Sequence, residues 1–260
     1  MASPEDTGRN KDRMGGLAKG LRLLEAFDAA HARLTVSEAA RAVDLSPASA
    51  RRCLLTLCEL GYLRSDGKHY WMDHGALRIS YAYAASTQLP RLFQPALDAL
   101  SERSRESASL AVLHGERVLI AARSTARRTM RVGLSVGSPL PLHCSAAGRA
   151  LLWDRPEPQV RALLAVAPLE RFTPRTLVSV REVLRELAAS RERGYAVCDE
   201  EIETGVRSIA VPVLTREGTI AAAMTISTRA ERMTVAEMAR AYLPALLRTQ
   251  AWAKDLPLRP

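Results

Sequence analysis

The sequence predicts an α+β protein in two parts. A small N-terminal domain of short helices closes with a hairpin, and a larger C-terminal domain is built on an antiparallel sheet. Three observations lead there. The chain has 260 residues, long for one minimal domain and comfortable for two. Its first third is a run of short, strongly punctuated helices. The remainder alternates hairpin-linked β-prone runs with helices in blocks, an α+β pattern. Composition agrees: 47% hydrophobic and 25% charged, with 14 Gly and 14 Pro, excludes collagen-like, disordered and coiled-coil classes. Only 12 residues are aromatic, so the cores must be aliphatic.

From Leu17 the pattern is helical, with Leu17, Leu21, Leu24 and Phe27 recurring every three to four residues. Thr35-Val36-Ser37-Glu38 is a capping box opening a short helix to Val43. After a turn at Asp44-Leu45, Ser46 caps a third helix. Pro47 takes its first position, where a missing N–H costs nothing. That helix stops at Gly61, which suits a left-handed cap. Two short helices joined by a tight turn describe a helix-turn-helix. The third helix divides along its length. Ser46, Pro47, Ala48, Ser49, Arg51 and Arg52 supply the small, polar and basic residues suited to a major groove. Leu54, Leu55, Leu57 and Leu60 supply an apolar anchor.

Two β-prone runs flank Ser65-Asp66-Gly67-Lys68, a hairpin signal. A basic hairpin after the recognition helix makes a wing, from which Arg64, Lys68 and His69 reach phosphates. Arg9, Lys11 and Arg13 precede the fold as an arm or a solvated tail. The expected boundaries are a winged helix-turn-helix over 14–75, a helical linker over 76–92 broken near Pro90 and again near Pro95, and a second domain over 93–254. In that domain ASLAVLHG and RVLIAARS form a hairpin and TMRVGLSVG a third strand, and YAVCDEE, VRSIAVPVLT and GTIAAAMTIST follow. Helices are expected from Ser145 to Trp153, from a capping box at Ser179 to Gly194, and from a capping box at Thr234 with a kink at Pro244.

Charge offers a weaker hint. The net charge is +9, but residues 1–75 hold 11 basic and 10 acidic side chains, so the excess lies outside the DNA-binding region. The four cysteines form no C-x-x-C pair, so neither a zinc site nor a disulfide framework is expected. No apolar run approaches a membrane span, and the N-terminus lacks a signal-peptide core. A cytoplasmic protein without membrane contact is the expectation.

The usual catalytic signatures are missing: no G-x-S-x-G, G-x-x-x-x-G-K-[ST], G-x-G-x-x-G or H-E-x-x-H occurs. Neighbours His143, Cys144 and Ser145 diverge along the chain and make a poor nucleophile–base pair. No catalytic residue, metal or cofactor is assigned. Pro141 to Ala150 reads instead as a loop entering a small-residue helix, whose free amides attract anions.

These segments together resemble the IclR family of bacterial transcription regulators. GLRLLEAF and LTVSEAARAVDLSPASARRCLLTLCELGYL are similar to its DNA-binding domain. MRVGLSVGSPLPLHCSAAGRALL and RERGYAVCDEEIETGVRSIAVPV are similar to its effector domain. Within the family, MRVGLSVGSPLP and GVRSIAVPV look most like regulators of protocatechuate and p-hydroxybenzoate catabolism. The resemblance implies a GAF-like effector domain, binding to double-stranded operator DNA, and dimers or dimers of dimers. It also implies a pocket for a small carboxylic acid involving Met130, Ala146, Ala147, Cys198, Ser208 and Ser227. The residues themselves add His143, Ser145 and Thr225 as polar contacts. Ser208 and Ser227 are expected to meet on adjacent strands. Arg207, the one arginine beside these positions, pairs either with a ligand carboxylate or with Glu201.

Overall fold

The computed structural model describes residues 14–125 and 134–258. The chain forms two compact units meeting between Ser86 and Thr87. The expected linker over 76–92 is therefore divided between them.

The first unit contains α1 (Gly15–Glu25), β1 (Leu34–Thr35), α2 (Val36–Ala42), α3 (Pro47–Glu59), β2 (Leu63–Ser65), β3 (His69–Met72) and α4 (Leu77–Ser86). Local chemistry sets the boundaries. Thr35 accepts the Glu38 amide while Glu38 takes the Thr35 amide at 2.8 Å, a complete capping box. Ser46 accepts the Ser49 amide, and Pro47 occupies the first turn of α3. Gly61 (φ +76°) and Gly67 (φ +95°) take left-handed conformations after α3 and in the hairpin, where a side chain would be strained. β1 is an addition the sequence did not reveal. It pairs with β3 through Leu34 and Tyr70, giving a three-stranded sheet in the order β1-β3-β2.

Apolar periodicity locates these helices but not their buried side. The core takes Leu23, Leu34, Ala50, Leu54, Leu57, Leu63 and Tyr70. The periodic set around α1 is split: Leu17 is 60% and Leu21 46% exposed, whereas Leu24 and Phe27 pack against the core and Leu23 is fully buried. On α3, Leu54 and Leu57 face the core, but Leu55 and Leu60 do not. A helix this short can bury only one narrow face, and Ala39, Ala40 and Ala50 bring α2 and α3 close along it.

The second unit is built on a six-stranded sheet, antiparallel at every pairing, in the order β6-β5-β4-β9-β8-β7. The strands are β4 (Ser107–His114), β5 (Arg117–Ser124), β6 (Pro139–Pro141), β7 (Ala196–Asp199), β8 (Val206–Leu214) and β9 (Ile220–Arg229). The helices are α5 (Gln88–Ser104), α6 (Ala146–Leu151), α7 (Glu157–Leu164), α8 (Val180–Arg193) and α9 (Val235–Ala253). The expected strand TMRVGLSVG lies mostly outside the described residues. The third strand they contain is β6, and Pro139 and Pro141 are tolerated in it because it is an edge strand.

The expected breaks at Pro90 and Pro95 do not occur; the chain turns at Thr87 instead. Pro90 falls in the first turn of α5, where its N–H would have no intrahelical partner. Pro95 lies inside the helix, which continues because Phe93, Leu97 and Leu100 bury one face. Similarly, α9 runs on through Pro244 as one element. The capping box at Ser179 is only half formed: Ser179 accepts the Glu182 amide, but the Glu182 carboxylate takes the Ser179 hydroxyl rather than its amide.

The two faces of the large sheet differ in side-chain size. Ile209, Val211, Val213, Met224 and Ile226 pack under α5 and α9. The alternate positions, facing α6, carry Ala111, Ala196, Cys198, Ala210 and Ala223. Alternation along each strand sorts the two sets. Small residues on one face leave space between sheet and helix.

Candidate functional site

That space is a cavity of about 290 Å³. Ser145, Ala146, Ala147, Cys198, Ser208, Thr225 and Ser227 line it, together with Ser109, Ala111, Ile120, Arg123, Leu134, Leu140, Ile202, Glu203 and Val206. Seven of the nine residues expected for the pocket are thus brought together. Ser208 and Ser227 face each other across β8 and β9, as their alternation required, with their hydroxyls 3.1 Å apart. Cys198 stands opposite Ser208 on β7, and Ser109 opposite Thr225 on β4. Four strands therefore contribute a row of hydroxyls and one thiol.

Two expected contacts fall elsewhere. Met130 lies outside the described residues. His143 is turned away from the cavity: its Nε2 pairs with the Glu170 carbonyl at 3.0 Å, and its ring stacks on Phe172. Burial, reinforced by the charge of Arg149, holds its pKa below the ordinary histidine value despite the Glu170 carbonyl. The chain reverses between His143 and Ser145, so neighbours in sequence face opposite ways. Ser145 caps α6 by accepting the Gly148 amide at 2.9 Å. Gly148 permits close approach, since a Cβ there would lie 2.2 Å from the Leu142 carbonyl oxygen.

Three arginines define the electrostatics. Arg149 is 1% exposed and meets Glu201 through two bonds of 2.6 Å, and it also donates to the Val197 carbonyl. Burial opposes its charge, but hydrogen bonding to Glu201 more than offsets this and raises its pKa. Arg207 pairs with Asp199 and Glu200 and donates to the Ala230 and Met233 carbonyls at 2.7 and 2.8 Å. The structural alternative for Arg207 is the one realised, but Glu201 is not its partner, because Arg149 occupies Glu201. Arg207 is also not the arginine of the cavity.

Arg123 is. It projects from β5, donates to the Ser109 hydroxyl at 3.3 Å, and leaves its Nε buried without a partner. Among the described residues no carboxylate pairs with it. Burial lowers its pKa, the signature of a cation without an offsetting anion. Sequence reading took RVLIAARS only as one strand of a hairpin. The available signal was a second arginine, after Arg117, near the end of an otherwise apolar strand.

The first unit presents a different surface. Ser46, Pro47, Ala48, Arg51 and Arg52 are all exposed at the N-terminal end of α3. Neither arginine joins an ion pair among the described residues. Ser49 departs from the expectation: it is only 8% exposed, turned inward as its amide bonds Ser46. Arg64 is held by Asp73 at 2.9 Å, so it is not a free cation. Lys68 stands at the hairpin tip with an exposed side chain. The tip is braced by Asp66, which accepts the Lys68 and His69 amides at 3.0 and 2.8 Å. These bonds, that from His69 foremost, bring its pKa down to about 2.

A winged helix-turn-helix with a free basic helix end, in one chain with a second unit that holds a hydroxyl-lined cavity, defines a ligand-responsive DNA-binding regulator. Comparison with known proteins agrees. Residues 16–67 match the model of the IclR helix-turn-helix domain, and residues 81–256 match that of the bacterial transcriptional regulator IclR C-terminal domain. The chain belongs to the IclR family of transcriptional regulators. It is 38% identical to the Pca regulon regulatory protein of Pseudomonas putida over 94% of this chain and 84% of that protein. It is 36% identical to the p-hydroxybenzoate hydroxylase transcriptional activator of Acinetobacter baylyi, covering 95% and 93%. A solved putative transcriptional regulator from Rhodococcus sp. RHA1 superposes with a TM-score of 0.79 at 36% identity, covering 94% and 98%. An IclR homologue from Microbacterium hydrocarbonoxydans, solved with 4-hydroxybenzoate, gives 0.72 at 27%, covering 92% and 100%. Among the described residues no helix is long and apolar enough to cross a membrane, and no group of side chains is arranged to hold a metal.

Proposed function

We propose that this regulator controls genes of aromatic-acid breakdown and that its effector is a small aromatic carboxylic acid. The observation that carries the reading is Arg123: a half-buried guanidinium whose buried Nε has no partner among the described residues, opening onto a cavity walled by hydroxyls and aliphatic side chains. A buried cation without an anion is costly, and a ligand carboxylate removes that cost. Ser109, Ser208, Thr225 and Ser227 supply further hydrogen bonds, and Ile120, Leu134 and Leu140 supply an apolar wall. The names of the similar regulators, and the 4-hydroxybenzoate held by one solved relative, support an aromatic acid.

The effector is bound and released unchanged, so stoichiometric binding without turnover is expected. DNA meets the exposed end of α3, where Arg51 or Arg52 reaches a base edge and Lys68 a phosphate. The outward apolar stripe of Met14, Leu17 and Leu21 supports self-association of the first unit into a homodimer or a dimer of dimers in the cytoplasm. The test is calorimetric titration with aromatic acids, followed by operator binding with and without the best ligand. Ser208→Leu fills the cavity and is expected to abolish the effector response while leaving basal operator binding intact. Arg51→Ala or Arg52→Ala is expected to lose ~1–3 kcal/mol of operator binding but little affinity for random DNA. Operator binding like wild type in both arginine variants would remove the recognition-helix assignment.

A further inference from the structure

We infer that Glu203 is a specificity-determining residue of the cavity, selecting aromatic monocarboxylates that carry a hydrogen-bond donor across the ring from the carboxylate. The inference rests on the effector reading above and adds which acids fit.

Among the described residues two charged side chains line the cavity, Arg123 and Glu203. They enter from different strands. Arg123 belongs to β5, and Glu203 to the loop joining β7 to β8. In the sheet order, β4 and β9 lie between β5 and β8, so the two backbones are separated by three strand spacings, about 14 Å. Both line the cavity, and Ser109, Thr225, Ser227 and Ser208 line it on the strands between them. This spacing suits charges at the two ends of a six-membered ring. It does not suit an α-amino acid, whose ammonium and carboxylate sit side by side.

The Glu203 carboxylate has no hydrogen bond or ion pair among the described residues. Its neighbours Glu200 and Glu201 are both committed, to Arg207 and Arg149. Its loop is nevertheless held in place. Thr173 donates to the Glu200 carbonyl at 2.7 Å and Thr176 to the Glu201 carbonyl at 2.6 Å. The Gly205 amide donates to the Glu200 carboxylate at 2.9 Å, and the Val206 amide to the Glu203 carbonyl at 3.2 Å. An anchored loop thus presents one free carboxylate to the cavity.

A free carboxylate accepts and cannot donate. A ring hydroxyl opposite Arg123 donates to it, a bare ring edge offers it no donor, and a second ligand carboxylate meets a like charge. The cavity therefore has polarity: anion toward β5, donor toward the β7–β8 loop. Selection works by rejection as well as attraction.

The test is calorimetric titration of the full-length wild type, Glu203→Gln and Glu203→Ala with 4-hydroxybenzoate, benzoate and terephthalate. Thermal melting confirms that both variants fold, as expected for an exposed side chain without internal partners. Wild type should bind 4-hydroxybenzoate at least about tenfold more tightly than benzoate, as expected for a hydrogen bond to a charged group, and terephthalate weakest of the three. Glu203→Ala should bring 4-hydroxybenzoate to within about threefold of benzoate. Glu203→Gln, uncharged but still an acceptor, should raise terephthalate affinity. The inference is overturned if wild type holds 4-hydroxybenzoate and benzoate alike, or if both substitutions leave the ranking of the three acids unchanged. If none of the acids binds, the effector reading itself fails.

Discussion

Two arginines in the second unit, Arg149 and Arg123, lie against the same sheet and have opposite fates. Arg149 is enclosed under α6 and neutralised by Glu201 through a two-point contact. Arg123 is partly desolvated, yet among the described residues its guanidinium bonds only the Ser109 hydroxyl. Each leaves its Nε without a partner, so an unsatisfied nitrogen does not separate them. What separates them is the counter-charge and the space in front. A buried arginine paired with its own carboxylate is structural, whereas one that opens onto a cavity and pairs with no carboxylate among the described residues is the one proposed to meet a ligand.

The largest expected effect breaks the structural member. Arg149→Met leaves Glu201 buried and uncompensated, and should cost about 3–5 kcal/mol in urea unfolding. Replacing both, as Arg149→Met with Glu201→Leu, should recover most of that loss. By contrast, Arg123→Met removes an uncompensated cation and should leave stability unchanged or slightly higher while abolishing effector binding. Equal stability losses in Arg149→Met and Arg123→Met would erase the distinction.

A second, smaller effect tests how the wall between the two arginines is packed. In Gly148→Ala the new Cβ meets the Leu142 carbonyl and the Ser145 hydroxyl, atoms with little freedom to move. A loss of about 1–3 kcal/mol is expected, with weaker effector binding as Ala146 and Ala147 shift. Unfolding and titration of one variant read both.

The smallest effect is chemical. Cys198 lies between the sheet and the cavity. Burial, and secondarily the charge of Glu201, push its thiol up to about 11. Cys144 is pushed up as well, again by burial first. A raised thiol pKa keeps the unreactive protonated form at pH 8, and the thiolate appears only as pH climbs toward 11. Alkylation of native protein at pH 8 should therefore spare Cys198 and Cys144. Cys53, half-buried on α3, should be modified first. Rapid labelling of Cys198 at pH 8 would show that the cavity is wetter than its packing suggests.

The first unit was more legible in the sequence than the second. Its helices are set by neighbours three residues apart, Thr35 with Glu38 and Ser46 with Ser49, so caps and turn glycines locate them. Even there, the sequence could not say which side of α1 is buried. Periodicity shows that an apolar face exists, but Leu17 and Leu21 go outward and Leu23 inward because of where α3 lies. In the pocket, alternation along two strands was enough to foresee Ser208 against Ser227. His143 was misjudged because one reversal before α6 sends it to the far side.

By itself the sequence determined most of the elements and their N-terminal caps, the two-part α+β plan and the meeting of Ser208 with Ser227, whereas their place in a pocket came from the family resemblance. These follow from interactions within a few residues or from strict alternation along a strand. Only the tertiary structure decided the charges. Which carboxylate neutralises which arginine depends on strands brought together from positions such as 123, 149, 201 and 207, far apart along the chain. Coulomb energy depends on distance and burial in space, and neither can be read from spacing in sequence.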